Sequence, residues 1–296
     1  SFAGIQPMLN QSKIIGINSN LEGMYDQLGD GKQYPWAFGT GETESDRVQL
    51  QVALAAQKTG TGALAQIADA SDFGKQSTIQ TENHMKDFPN VKLASAEFPL
   101  TATDLTKQLS DLKASGAKSL FVWTFGDYLI KVAAGLRKIN WNPTVYTVVG
   151  AKYDATIKAM ESADPGITKD MVGGPVPNGF VKTATNTKPS GITAAFINTF
   201  SKYQKGSTAT DGNALVATYG FDGAIITDAA IAGANSTDTT KMKAALTSGK
   251  PITGVRGTYV FGPTVRLAQD IAKQASLIKI APPCPTGLCE GVDPAN

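Results

Sequence analysis

Between residues 60 and 140 the chain repeats one unit, an apolar run followed by a polar turn and a helix. The run Ala63 to Ala68 leads into Asp69-Ala70-Ser71-Asp72-Phe73-Gly74 and a polar-faced helix to His84. A second strand, Val91 to Phe98, precedes a helix opened by Thr103-Asp104. A third strand, Ser119 to Thr124, meets Phe125-Gly126-Asp127 and another helix. Strands alternating with helices of this length predict a parallel sheet covered on both faces. Ligands of such sheets bind at the carboxyl ends of the strands, where the loops gather. Those loops hold aromatics and small polar groups, with no nucleophile–base pair among them. They suit holding a small molecule and leaving it unchanged.

A chain of 296 residues is too long for one ordinary α/β layer and suits two lobes. A net charge of +2, evenly spread, gives no reason to expect a nucleic-acid or membrane-surface partner. There is no Lys/Arg block, no Walker-type loop and no GxGxxG after a strand. The longest apolar stretch, Ala214 to Ala234, is broken by Thr218, Asp222, Thr227 and Asp228, so it is expected to be a buried helix that does not span a bilayer. Cys284 and Cys289 are separated by four residues that include Pro and Gly, a spacing that lets a turn bring them within disulfide range. The disulfide is the favoured reading over free thiols and implies an oxidising compartment. A metal half-site finds no second Cys pair, and the sole histidine, His84, is expected to be exposed and uninvolved.

Further along, Ile14 to Ile17 and Tyr34 to Phe38 read as strands, and Thr43 or Ser45 can cap the helix that follows. Thr144 to Val149 is another strand, ended by the loop Gly150 to Asp154. Gly173, Gly174, Pro175 and Pro177 crowd together, as where a chain crosses between lobes. Helices follow over 193–203, 214–233 and 238–247. The last stretch turns β-like at 257–262 and 275–280.

This order of elements resembles the type I periplasmic binding proteins of ABC importers, in the branch typified by leucine/isoleucine/valine-binding proteins. The likeness is carried by Asp72-Phe73-Gly74, by Phe98-Pro99-Leu100-Thr101-Ala102-Thr103-Asp104-Leu105, by Leu112-Lys113-Ala114-Ser115-Gly116-Ala117 and by Tyr219-Gly220-Phe221-Asp222-Gly223-Ala224. The resemblance implies an α/β fold of two doubly wound parallel sheets in two lobes, joined by a three-strand hinge and closing on a small ligand. The first lobe would hold residues 1–38 and 177–254, and the second 43–172 and 256–296. The hinge crossovers would lie near 39–42, 173–176 and 255. The family's first lobe begins with three further βα units, roughly 80 residues at ~25–30 each. The first lobe is therefore expected to be incomplete here.

The resemblance also proposes the site. Asn18, Ser19 and Asn20 stand where the family meets the ligand's polar head, although turn and capping chemistry would account for them equally. Phe73 matches an aromatic that stacks over ligand, and Phe125 stands at the next strand end. Lys152 and Tyr153 occupy the place of an acidic partner for a ligand ammonium. A lysine there suits a carboxylate better, or is simply a solvated loop charge. Tyr219 and Asp222 begin the long helix near the lobe interface, where Asp222 has a structural role as readily as a ligand contact. No metal site and no cofactor are implied, and catalysis is not expected. The implied function is that of a solute-binding protein of an ABC importer, a periplasmic or secreted monomer partnered by the importer permease. The missing N-terminal part leaves room for a lipid anchor. The ligand would be a branched-chain or aromatic amino acid, an amide, urea or a small aromatic acid. The alternative is a ligand-sensing regulator or receptor domain built on the same clamp. A hydrolase is disfavoured, because His84 is expected to lie out of reach of the strand-end loops.

Overall fold

The computed structural model describes residues 2–18, 31–204, 212–267, 269–281, 284 and 287–292. Ser19 and Asn20, two of the expected site residues, lie outside them. The chain opens on helix α1 (Phe2–Ser12), followed by β1 (Gly16–Asn18) and β2 (Ala37–Gly39). Six elements then alternate, α2 (Glu44–Thr59), β3 (Ala63–Asp69), α3 (Asp72–Met85), β4 (Lys92–Phe98), α4 (Thr106–Ala114) and β5 (Ser119–Trp123). Next come α5 (Asp127–Lys138), β6 (Thr144–Thr147), a 3₁₀ turn (Val149–Lys152), α6 (Asp154–Ala163) and β7 (Val172–Pro177). The remainder comprises β8 (Val181–Lys182), α7 (Gly191–Tyr203), α8 (Gly212–Ala234), α9 (Thr239–Leu246), β9 (Ile252–Thr253), β10 (Thr258–Tyr259), α10 (Ile271–Gln274), β11 (Ala275–Lys279) and β12 (Cys289–Glu290).

The expected parallel sheet is the largest element of the fold. It has six strands in the order β11-β7-β6-β5-β3-β4, parallel except for β11, which runs antiparallel to β7. The alternating side chains of its strands feed two cores. Ala65, Ile67, Leu120 and Val122 face α4 and α5, meeting Leu109, Leu112, Leu129, Val132 and Leu136. Leu64, Ala68, Phe121 and Trp123 face the other way, meeting Val48, Val52 and Ala55 of α2. Edge strand β4 alternates between exposed and covered residues, whereas central β5 is buried throughout. Thr43 caps α2, accepting from the Asp46 N–H while the Asp46 carboxylate takes the Thr43 N–H, a reciprocal box.

The second body is smaller. β1 and β2 pair in parallel, and Phe38 packs with Ile226 and Ala230 of α8, Met242 and Leu246 of α9, Tyr259 and Phe261. The last two residues lie past the crossover expected near residue 255. β10 pairs with β9, and the Gly39 N–H donates to the Arg266 carbonyl. Residues 258–267 thus sit with β1, β2, α8 and α9, because the alternating Tyr259-Val260-Phe261 buries both rings against Phe38. β11 then returns to the large sheet. Helix α8 is long and apolar enough to cross a bilayer by length and composition. It was expected to be a buried helix, and it is covered along one face, through Ala214, Leu215, Thr218, Tyr219, Asp222, Ile226 and Ala230. Cys284 and Cys289 are joined by a disulfide, and β12 beside them pairs with β8.

Candidate functional site

Three loops leave the carboxyl ends of β3, β5 and β6 on the same edge of the large sheet. After β3, Ser71 caps α3 through the Gly74 N–H, and Asp69 accepts from both the Ser71 N–H and its hydroxyl. This turn is so tight that a Cβ on Gly74 would stand 2.0 Å from the Asp69 carbonyl oxygen. Only glycine fits there, and the fit places Phe73 at the mouth of the loop. After β5, Gly126 takes a positive φ of 56° ahead of α5 and turns Phe125 outward. Asp69 ties the two loops together, since its second oxygen accepts from the Thr124 hydroxyl at 2.6 Å.

The result is an aromatic platform. The Phe73 and Phe125 rings lie 4.4 Å apart, centre to centre, at a tilt of 44°. Phe73 is buried, whereas Phe125 leaves 40 % of its surface open. Gly150, in the 3₁₀ turn after β6, comes close enough that an added Cβ would rest 3.5 Å from Phe125 and 3.8 Å from Tyr153. On its other side Tyr153 meets α8, where a Cβ on Gly212 would fall 2.7 Å from the Tyr153 ring. Phe73, Phe125 and Tyr153 therefore come together, at the place where the large sheet's loops face the helix of the smaller body.

Lys152 is placed differently. It is 1 % exposed, and its ammonium donates to the carbonyls of Ile280 at 2.5 Å and Lys279 at 3.3 Å. Burial pulls its pKa down to about 8, only partly offset by Asp154. These bonds tie the loop to the end of β11, so the reading of Lys152 as a solvated loop charge does not hold. Trp123 faces the core and donates to the Thr81 hydroxyl. His84 is half-buried rather than exposed, its Nε2 lying 3.0 Å from the Ser45 hydroxyl oxygen.

Beside the platform lies a cluster of buried charges in which Glu42, Arg47 and Arg256, which sequence reasoning passed over, join Tyr219 and Asp222. Tyr219 donates to Glu42 Oε1 at 2.7 Å, and Arg256 bonds Glu42 Oε2 at 2.5 Å and stacks 3.6 Å above the Tyr219 ring. Burial pushes the Glu42 carboxyl up, but the guanidiniums of Arg256 and Arg47 and the Tyr219 hydroxyl outweigh it and hold it below the usual carboxylate range. Asp222 takes the N–H groups of Val255 and Arg256 at 2.7 and 2.8 Å, and the Tyr259 hydroxyl lies 2.6 Å away. Burial nevertheless leaves its pKa raised. Asp222 thus secures the turn between β9 and β10. Asn18 joins this region through its carbonyl, which accepts from the N–H and hydroxyl of Thr40. The described contacts bring Asn18 to the segment between β2 and α2. Glu42 and Arg47 carry no local motif; the acidic Glu42-Thr43-Glu44 run before a capped helix was their only trace in the sequence.

Cavities also open elsewhere. One of about 260 Å³ lies among Asn142–Thr144 and Asp164–Asp170, and one of about 380 Å³ lies among Lys58, Tyr146 and Glu290. Both sit toward the amino ends of β6 and β7, the opposite edge from the platform, and no described group of three or more His, Cys, Asp or Glu could hold a metal ion.

The sequence pattern of the periplasmic binding protein family matches residues 1–273. The chain belongs to that family. Its fold is shared with a type 1 periplasmic binding protein from Bordetella pertussis Tohama I, at TM-score 0.76 and 17 % identity, over 93 % of this chain and 74 % of that one. A solute-binding protein of an ABC transporter from R. palustris, solved with 4-hydroxybenzoate, aligns at TM-score 0.70 and 17 % identity, over 93 % and 70 %. A branched-chain amino acid ABC transporter protein from Thermus thermophilus with bound valine aligns at 0.73 and 12 %, over 98 % and 74 %. A comparison with proteins of curated function finds no match in sequence. The fold is the two-lobed one of type I periplasmic binding proteins, and the family works in the periplasm or outside the cell as a binder of small molecules. Family and fold are those of substrate-binding proteins, which are not enzymes.

Proposed function

We propose that this protein is the solute-binding component of an ABC importer and closes its two bodies over one small molecule, delivering it unchanged to the importer permease. The reading rests on the platform of Phe73, Phe125 and Tyr153 at the carboxyl ends of β3, β5 and β6, with Tyr153 against Gly212 of the facing helix. Open aromatic surface binds an apolar or ring-bearing solute by removing it from water. Arg47, 5.4 Å from the Phe73 ring, is already balanced by Glu44 and Glu42, so the platform offers an aromatic wall without an unbalanced arginine. That favours a solute with an aromatic ring or a branched apolar side over urea or a small amide. The chain would pass between the bodies near 39–43, 172–177 and 269–275. Closure then follows from contacts made to both bodies at once, since a ligand shifts the open–closed balance by its differential affinity.

The test is mass spectrometry of small molecules co-purified with the protein, followed by calorimetric titration of phenylalanine, valine, leucine and 4-hydroxybenzoate. Saturable one-to-one binding without turnover is expected. Consumption of the solute, or no binding by any aromatic or branched solute, defeats the reading.

A further inference from the structure

Glu42 lies in the segment that joins β2 of the small sheet to α2 of the large one, and it holds an arginine from each side. Arg256, at the turn between β9 and β10, reaches it from the smaller body, where Thr218, Tyr219 and Asp222 of α8 hold that turn in place. Arg47, on the first turn of α2, reaches it from the larger body, with Nε 3.9 Å from Glu42 Oε1. The Arg47 guanidinium also donates to Glu44 Oε1 at 3.0 Å and lies 5.4 Å from the centre of the Phe73 ring. Glu44 in turn accepts from the Ser77 hydroxyl at 2.8 Å, and Ser77 stands one turn along α3 from Phe73. Two carboxylates and two guanidiniums thus form a neutral chain of contacts, nearly all buried, which is the condition under which such charges persist inside a protein. It runs from the helix of one body, through the joining segment, to the ring that backs the platform in the other.

We propose that Arg47 is a positioning residue that couples the hinge to the ligand wall: its guanidinium, shared between Glu42 and Glu44, passes the setting of the 39–43 segment to Phe73. This rests on the reading of the Phe73–Phe125 platform as the ligand wall. The consequence is that the platform is ordered before ligand arrives, and that a shift of Glu42 on opening or closing moves the ring. A purely fold-anchoring role would instead leave Phe73 indifferent to what happens at Glu42.

Amide hydrogen exchange on the full ligand-free chain separates the two roles, with peptides covering 39–47 and 70–76 and with 119–123 as control. In Arg47→Met, exchange is expected to rise at least about fivefold in 39–47 and in 70–76, with the control unchanged. Glu42→Gln, which leaves Arg47 in place, is expected to raise exchange in 70–76 as well. Arg47→Lys keeps the charge but cannot fork between two carboxylates, so it should fall between wild type and Arg47→Met. Wild-type exchange in 70–76 for a folded Arg47→Met or Glu42→Gln protein overturns the proposal. So does a rise of equal size in all peptides, which is plain destabilisation. If Arg47→Met does not fold, Arg47→Lys alone decides, and exchange unchanged from wild type in 70–76 overturns the coupling. Phenylalanine and 4-hydroxybenzoate serve as binding probes in parallel; failure of both to bind wild type counts against the proposed function, while the exchange result still decides the role of Arg47.

Discussion

Replacing Phe125 with alanine separates a binding role from a packing one. The ring leaves 40 % of its surface open, so of the roughly 200 Å² an aromatic side chain offers, about 80 Å² is available to a ligand. At about 25 cal/mol per Å² this amounts to ~2 kcal/mol of binding, or ~30-fold in Kd. The covered remainder of the ring, about 120 Å² including the contact with Phe73, sets a stability cost of at most ~3 kcal/mol at the same rate. Phe73→Ala is the contrasting case, because that ring is buried and its removal costs ~3–5 kcal/mol of stability. Isothermal titration of the solute identified by mass spectrometry, alongside thermal melts of both variants, reads the difference. A Phe125→Ala protein that binds within about twofold of wild type, yet melts as far down as Phe73→Ala, would refute the reasoning.

Three further outcomes are expected. Gly74→Ala forces a methyl to within 2.0 Å of the Asp69 carbonyl, so unfolding free energy should fall by ~1–3 kcal/mol or more; an unchanged melting temperature would mean the turn is looser than described. Lys152 has its folded pKa lowered to about 8 against a reference of 10.5, so between these values the unfolded chain holds the proton longer and wild-type stability rises with pH. Melts from pH 7 to 10 should therefore show wild type gaining ~2–3 kcal/mol relative to Lys152→Met, and a gap that stays constant or narrows shows that the ammonium is not penalised by burial. The Cys284–Cys289 link closes a short loop, so replacing both cysteines with serine should cost ~2 kcal/mol by denaturant titration, and a loss above about 5 kcal/mol would give the link a larger role than loop closure.

Elements whose evidence is local were legible in the sequence. The alternation from Ala63 to Lys138 gives the central strands and helices, and Thr43 is the cap expected from its spacing to Asp46. Phe73 and Phe125 could be placed at strand ends because a parallel sheet puts its loops there whatever the strand order. What depends on distant partners was not legible. Tyr259-Val260-Phe261 reads as a strand, but nothing in those residues says that Phe38 lies opposite, so their packing against β2 and α8 could not be read. Lys152 looks like a surface charge until β11, more than a hundred residues later, supplies the carbonyls that take its ammonium. Glu42 and Arg256 are 214 residues apart, and charges at that separation leave no pattern.

The placement of β11 governs the order in which the molecule can be made. It enters the large sheet beside β7, yet about a hundred residues, including all of α7, α8 and α9, are synthesised between the two strands. As the chain emerges, β7 must wait with an open edge until the intervening body has been laid down and the last strand arrives. Completion of the sheet and docking of the smaller body therefore become late events that share one step. Synthesis that stops before residue 275 would leave a sheet lacking the strand that seals it, and its two cores without Ile280 and Leu277.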